Sequence, residues 1–193
     1  MTSAIGKSIH DHYLKHPFFK TSIDNHLKWI PYAVVFVLDL FRIKTRSAWK
    51  KQVIITGFTE GIRYFTVDSL KKLTKERRPA PYTGHHSFPS GHTSSSFAGA
   101  EFMHRELKKS LPVLSCTGYL AATVTAVIRI KKNRHWPVDV VAGAAIGILS
   151  AKLVYLIVDK ATNRKNKKKT GAFNPNAEET GMQLEISESE AIY

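Results

Sequence analysis

Two apolar segments in the second half of the chain constrain the fold more than any other feature. Residues 111–130 and 137–158 are mostly apolar, and each has the roughly 20 residues that an α-helix needs to cross a bilayer. Shorter apolar stretches occur at 29–43 and 52–68, and residues 90–106 form a run rich in small side chains that is typical of a helix. We therefore predict an all-α, membrane-embedded helical bundle with about five to six transmembrane helices.

The predicted bundle covers residues 29–158 and is flanked by two polar regions. Residues 1–28 are polar and aromatic, which predicts an N-terminal interfacial segment. Residues 159–193 are basic and then acidic, and since they have little apolar surface to bury, we predict a disordered tail. Cys116 is the only cysteine of the chain, so an intramolecular disulfide is excluded. We predict that it is a small core residue.

The chain carries a formal net charge of +14, which suits nucleic acid, an anionic membrane surface or an acidic substrate. Its cations cluster at the ends of apolar segments and are not interleaved with aromatic residues, so the pattern argues against nucleic acid. Basic clusters at 42–51, 105–109 and 160–169 favour the cytoplasm. We therefore predict an integral protein of a bacterial inner membrane whose loops 69–89 and 129–136 face the periplasm.

Two short patterns predict how the helices pack. Gly143 and Gly147 lie four residues apart, and small residues at this spacing let helices approach closely in a bilayer. Glu60 and Arg63 lie within an apolar segment, where ionisable groups are costly unless they are paired or face the interior. Their spacing of three residues predicts an ion pair on one helix face.

Three short motifs contain the residue types that bind and transfer a phosphoryl group. The motifs are Lys71 with Arg78-Pro79, the turn Pro89-Ser90-Gly91-His92, and Arg129 with His135 and Asp139. Phosphoryl transfer spreads negative charge over the equatorial oxygens, so its catalysis is mainly positioning and electrostatic stabilisation. Guanidinium groups suit this task because they are planar, permanently charged and bidentate.

Local rules predict how two of these motifs are built. Proline and glycine mark a turn in the second motif, and Ser90 can cap the helix that follows. A helix N-terminus suits an anion, and Gly91 lets the backbone approach a phosphate closely. In the third motif, Pro137 is favoured at the first helical position. Asp139 then lies in the first turn, where its carboxylate can orient the imidazole of His135.

The order and spacing of the three motifs resemble those of the type 2 phosphatidic acid phosphatase superfamily. The resemblance covers residues 71–139, and it departs from the family at Ile128, where a serine is common. It implies that His135 attacks phosphorus to form a phosphohistidine, that His92 protonates the leaving oxygen and then activates water, and that Asp139 orients His135. It also implies that the other motif residues hold the phosphate, namely Lys71, Arg78, Ser90, Gly91 and Arg129. The scheme needs no metal and no cofactor.

The sequence thus predicts a metal-independent, integral-membrane phosphatase that hydrolyses a lipid phosphate ester or diphosphate. The resemblance implies lipid A, phosphatidylglycerol phosphate, undecaprenyl diphosphate or phosphatidic acid as the substrate, with the bilayer as its surroundings. Two alternatives stay open: a lipid phosphotransferase with the same histidine nucleophile, and a catalytically idle protein that binds anionic lipids. A zinc site at His85, His86 and His92 is disfavoured, because no further ligand stands at a recognisable metal spacing.

Overall fold

The computed structural model describes residues 22–80 and 82–172. Within these ranges the chain forms helices and no strand, which confirms the all-α prediction. The helices are α1 (Ile23–Leu27), α2 (Ile30–Leu40), α3 (Trp49–Thr74), α4 (Gly91–Leu107), α5 (Pro112–Lys131) and α6 (Pro137–Ala172). Most of the predicted interfacial segment, residues 1–21, and the acidic end of the predicted tail, from residue 173 onward, lie outside the described residues.

The chain divides into two compact units, one up to Tyr155 and the other from Leu156 onward. The first contains α1 to α5 and the N-terminal part of α6. The second contains the C-terminal part of α6, which continues to Ala172. The sequence predicts a disordered tail after residue 158. The structure shows instead that the basic stretch at its start is helical up to Ala172.

Two of the described helices are long and apolar enough to cross a membrane. They are Pro112–Lys131, with a mean hydropathy of 1.6, and Pro137–Lys165, with a mean hydropathy of 2.1. Both coincide with the apolar segments that the sequence singles out. Helix α2 is apolar but shorter, and α3 and α4 carry more polar side chains.

The interior of the first unit is built on small and polar side chains. Helix α4 packs against α2, α3 and α5, and it buries a run of hydroxyl groups from Thr93 to Ser96. A Cβ added to Gly143 would lie 2.6 Å from the carbonyl oxygen of Ser90, and one added to Gly147 would collide with the backbone of Ser94. Helix α6 therefore meets α4 backbone to backbone, as its small residues predict.

The outer surface of these helices is apolar. Val113 is 82% exposed and Leu120 is 68% exposed on α5, which suits a surface that faces lipid. Cys116, on the same helix, is also exposed, so its predicted core position is wrong. The prediction failed because apolar surroundings in the sequence mark lipid-facing positions of a membrane helix as well as core positions.

Candidate active site

The three motifs meet where α3 ends and α4 and α6 begin. The backbone amide of Ser90 donates to the carbonyl of Asp139 at 2.9 Å, which joins the second motif to the third. The indole N–H of Trp136 donates to the carbonyl of Arg77 at 2.9 Å, which joins the third motif to the first. The second of these contacts joins residues that lie 59 positions apart in the sequence.

The second motif begins α4 as predicted. Ser90 is fully buried and is the N-cap: its hydroxyl oxygen accepts from the amide of Thr93 at 3.5 Å and lies 2.9 Å from the Thr93 hydroxyl. A Cβ added to Gly91 would meet only Val67 among the described residues, at 3.8 Å. Packing therefore does not demand a glycine at that position, and the N–H groups of the first turn suit an approaching anion.

His135 is buried and its orientation is fixed by a backbone carbonyl. Its Nδ1 lies 2.8 Å from the carbonyl oxygen of Ser87 and 3.6 Å from Oδ2 of Asp139. Since a carbonyl oxygen only accepts, Nδ1 carries the proton, and Nε2 of the neutral ring keeps its lone pair. Burial lowers the pKa of His135, and the nearby charge of Arg129 adds to this, although Asp139 opposes it. The ring is therefore neutral near pH 7, as a nucleophile must be.

Asp139 lies behind His135, in the first turn of α6, which begins at Pro137 as predicted. Its Oδ2 accepts from the hydroxyl of Ser87 at 2.5 Å and from the amide of Trp136 at 2.9 Å. The carboxylate is buried and stands on the Nδ1 side of the imidazole. It can therefore stabilise positive charge on the ring without being its nearest hydrogen-bond acceptor.

The three motif cations lie close enough to influence one another. Lys71 donates to the carbonyl of His86 at 2.8 Å, and burial together with the charge of Arg78 lowers the pKa of Lys71 to about 8. Burial, followed by the charges of Arg129 and Arg134, lowers the pKa of Arg78. Cations held together in this way attract an anion with several oxygens, such as phosphate.

Arg129 and His92 contact a segment that the sequence did not connect with the site. Nη1 of Arg129 donates to Oδ2 of Asp24 at 2.7 Å. Nε2 of His92 lies 2.9 Å from Oδ1 of Asn25. Beside His92 there is a cavity of about 230 Å³, whose lining includes Lys28, Trp29, Arg63, Tyr64, Lys71 and His92. A cationic and aromatic cavity of this kind suits the head of an anionic amphiphile.

Among the described residues, no three His, Cys, Asp or Glu side chains converge as metal ligands would. The groups available for chemistry at this site are the histidines, the aspartate and the cations of the three motifs. The PAP2 superfamily model matches residues 52–163, a range that contains all three motifs.

The chain belongs to the PAP2 superfamily. A lipid A 1-phosphatase of Porphyromonas gingivalis is 37% identical over 142 residues, which are 73% of this chain and 32% of that protein. Lipid phosphate phosphatase 2 of Arabidopsis thaliana is 34% identical over 110 residues, which are 51% of this chain and 38% of that protein. This PAP2 chain thus matches no more than 38% of the length of either relative.

Two solved structures have the same fold. LpxE of Aquifex aeolicus aligns with a TM-score of 0.56 at 23% identity, over 78% of this chain and 92% of LpxE. A transmembrane PAP2-type phosphatidylglycerolphosphate phosphatase of Bacillus subtilis aligns with a TM-score of 0.54 at 18% identity, over 81% and 86% of the two chains. At these identities the likeness concerns the fold, which is a helical membrane bundle.

Sequence reasoning missed two groups in this PAP2 site. Ser87 contacts both His135 and Asp139, but it stands in an irregular loop where no periodicity marks it. Asp24 pairs with Arg129 across 105 residues of sequence. In the sequence, Asp24 stands out only because it is an acidic residue in a polar, mostly basic N-terminal region.

Proposed function

We propose that this PAP2 protein is a phosphatase that removes phosphate from a membrane lipid phosphate ester or diphosphate, with His135 as the nucleophile. The observation that supports this most strongly is the 2.8 Å contact between Nδ1 of His135 and the carbonyl of Ser87. It leaves the lone pair of Nε2 available, with the charges of Arg129 and Lys71 nearby.

In the first step, Nε2 of His135 forms a bond to phosphorus as the bond from phosphorus to the lipid oxygen breaks. The leaving oxygen takes a proton from His92, which acts as the general acid. Lys71, Arg78 and Arg129 stabilise the charge on the equatorial oxygens, together with the N–H groups that begin α4. The ring of His135 becomes positive, and the carboxylate of Asp139, 3.6 Å from Nδ1, stabilises that charge.

In the second step, water attacks the phosphohistidine and His92 accepts its proton. The bond from phosphorus to Nε2 of His135 breaks, inorganic phosphate leaves, and both histidines return to their starting protonation states. His92 therefore carries the proton in both steps, and His135 keeps its proton on Nδ1 throughout.

The cavity beside His92 supports a lipid as the substrate. It combines Lys28 and Lys71 with the aromatic rings of Trp29 and Tyr64, which suits a charged headgroup joined to apolar chains. The relatives in the sequence comparison are a lipid A 1-phosphatase and lipid phosphate phosphatases. Lipid A, phosphatidylglycerol phosphate, undecaprenyl diphosphate and phosphatidic acid are therefore the substrates to compare.

A panel of these four lipids tests the function, with phosphate release from the detergent-solubilised full chain as the measurement. We expect release from at least one lipid, unaffected by EDTA and abolished by vanadate, which imitates five-coordinate phosphorus. Release that disappears on chelation and returns with a divalent metal would contradict the mechanism. Release that depends on an added acceptor lipid would identify a phosphotransferase instead.

The proposed location is a bacterial inner membrane, with the site on the periplasmic side. Labelling with an impermeant thiol reagent tests this in a Cys116→Ser background, because the native thiol is exposed. Thr83 and Lys44 are both exposed and lie in different loops. We expect Thr83→Cys to be labelled in intact spheroplasts and Lys44→Cys only after lysis, and the reverse pattern would place the site in the cytoplasm.

A further inference from the structure

A carboxylate from outside the three motifs reaches Arg129 and is completely buried. It belongs to Asp24, on the short helix α1, which packs against α5. Oδ2 of Asp24 accepts from Nη1 of Arg129 at 2.7 Å, and Oδ1 accepts from Nζ of Lys132 at 2.6 Å. Each carboxylate oxygen thus has its own cationic donor.

The two cations keep Asp24 ionised in spite of its burial. Burial by itself would raise the pKa of Asp24, but the hydrogen bonds and charges of Lys132 and Arg129 outweigh it, and the pKa lies below its usual range. A buried ionised carboxylate of this kind holds its partners firmly, because either cation would be left uncompensated without it.

Arg129 has a second donor that remains unused. Its Nε is buried and has no hydrogen-bond partner among the described residues, although the side chain is only 9% exposed. Buried donors of this kind are rare and call for an acceptor. Because the guanidinium is one rigid plane, the contact of Nη1 with Asp24 also fixes the direction of Nε.

We infer that Asp24 is a positioning residue of the phosphatase, which holds Arg129 by Nη1 so that Nε is presented to an oxygen of the scissile phosphate. The inference rests on the proposed function, in which Arg129 binds that phosphate. Asp24 itself touches neither the substrate nor the reacting atoms.

The partners of Asp24 favour this role over that of an inhibitor that occupies the phosphate position. A carboxylate in place of the phosphate would contact the motif cations together. The second partner of Asp24 is instead Lys132, which is not one of the three phosphate-binding cations, and Lys71 donates to the carbonyl of His86. Among the described contacts, Asp24 thus pairs with one motif cation, Arg129, and not with Lys71.

The first test compares Asp24→Asn with Lys132→Gln in the detergent-solubilised full chain. Asp24→Asn keeps the shape but loses the charge that fixes Arg129, and we expect kcat/KM to fall about 10- to 100-fold. The inhibition constant of vanadate should rise by a similar factor, since vanadate needs the same donor. Lys132→Gln removes the other partner of Asp24 and should stay within about threefold of the wild type.

A double-mutant cycle with Arg129→Lys separates positioning from general stabilisation. If Asp24 acts through Arg129, Asp24→Asn should reduce kcat/KM by less than about threefold in the Arg129→Lys background. An equal loss in both backgrounds would overturn the inference, and so would an Asp24→Asn variant that is more active than the wild type, because that outcome would identify an inhibitory segment.

A further variant keeps the test decisive if Asp24→Asn does not fold. Asp24→Glu retains the charge, and we expect it to fold and to keep more activity than any neutral variant. Vanadate-induced thermal stabilisation of Asp24→Glu should be smaller than that of the wild type, and an undiminished shift would contradict the inference. A wild type that releases no phosphate from any lipid would instead refute the proposed function, which makes the two failures distinguishable.

Discussion

The two ends of α4 lie about 25 Å apart along the helix, and each carries buried charged groups. At the N-terminal end, the cations Lys71, Arg78 and Arg129 oppose one another electrostatically. Nε of Arg129 has no partner among the described residues. This end therefore has a hydrogen-bond donor available to a bound anion.

At the C-terminal end of α4, two buried carboxylates have complete sets of donors. Glu101 accepts from Arg105 at 2.7 Å and from the hydroxyl of Tyr119 at 2.5 Å. Glu106 accepts from the amide of Ser47 at 2.8 Å and from the hydroxyl of Tyr155 at 2.6 Å. These hydrogen bonds tie α4 to α5, to α6 and to the loop before α3.

The comparison distinguishes two uses of buried charge in one bundle. A network whose members are all satisfied stabilises the fold, whereas a cluster with excess donors lowers stability until a ligand supplies the acceptors. Burial and charge alone therefore do not identify the active site. The active site is distinguished by an excess of neighbouring positive charge at the N-terminal end, together with a cationic donor, Nε of Arg129, that has no partner among the described residues.

The largest expected contrast is between one histidine at each end. His135→Ala should lower turnover by more than about 1,000-fold, because the proposed nucleophile is lost, and no phosphoryl adduct should be trapped. His104, in the last turn of α4, contacts the hydroxyl of Ser115 at 3.2 Å, and His104→Ala should leave turnover nearly unchanged. Trapping with a radiolabelled ester that has a good leaving group measures the adduct, and a label on His92 would reverse the assigned roles.

Matched arginine substitutions should give the next largest contrast. Arg129→Lys removes the planar, multidentate donor and should lower kcat/KM by about 100-fold, because its contacts strengthen in the transition state. Arg105→Lys changes a cation that is already paired with Glu101 and should change kcat/KM by less than about threefold. Similar losses in the two variants would erase the functional distinction between the ends.

Substitutions at the C-terminal end of α4 should lower stability and leave catalysis intact. Glu106→Ala leaves the amide of Ser47 and the hydroxyl of Tyr155 without their acceptor, and should lower the free energy of unfolding by about 2 kcal/mol. Tyr155→Phe removes only one donor and should lower it by about 1 kcal/mol. Unfolding in mixed micelles measures both, and the folded fraction of each variant should retain its kcat. A loss of kcat without a loss of stability would give this cluster a catalytic role.

The smallest expected effects concern pH. The pKa of His135 is lowered from 6.5, so kcat/KM should begin to fall only below pH 6.5, as the nucleophile becomes protonated. Because the unfolded chain binds this proton more readily, the stability contributed by neutral His135 is complete above pH 6.5 and is lost as the pH falls below it. This acid limb should be absent from the residual activity of His135→Ala.

As the pH rises, activity should decline because the general acid His92 loses its proton and, at higher pH, because Lys71 loses its charge, since the pKa of Lys71 is lowered to about 8. We expect kcat/KM to decline above that pH as the ammonium loses its charge. Lys71→Arg should move this alkaline limb upward, because a guanidinium stays protonated. A limb that does not move would exclude Lys71 as its origin.

Local rules predicted much of this protein correctly. The N-cap at Ser90 and the start of α6 at Pro137 follow from turn and proline preferences. The ion pair of Glu60 and Arg63, with a shortest distance of 2.5 Å, follows from their spacing of three residues on one helix. Such features depend on neighbours within a few residues, so the sequence by itself determines them.

Only the tertiary structure revealed which distant groups support the motif residues. The carbonyl of Ser87 orients His135 across 48 residues, and Asp24 holds Arg129 across 105 residues. These contacts depend on the paths of loops and on how helices pack, for which the sequence has no period. The exposure of Cys116 was also decided at this level, because an apolar stretch does not distinguish the lipid-facing side of a membrane helix from the side that packs inside the bundle.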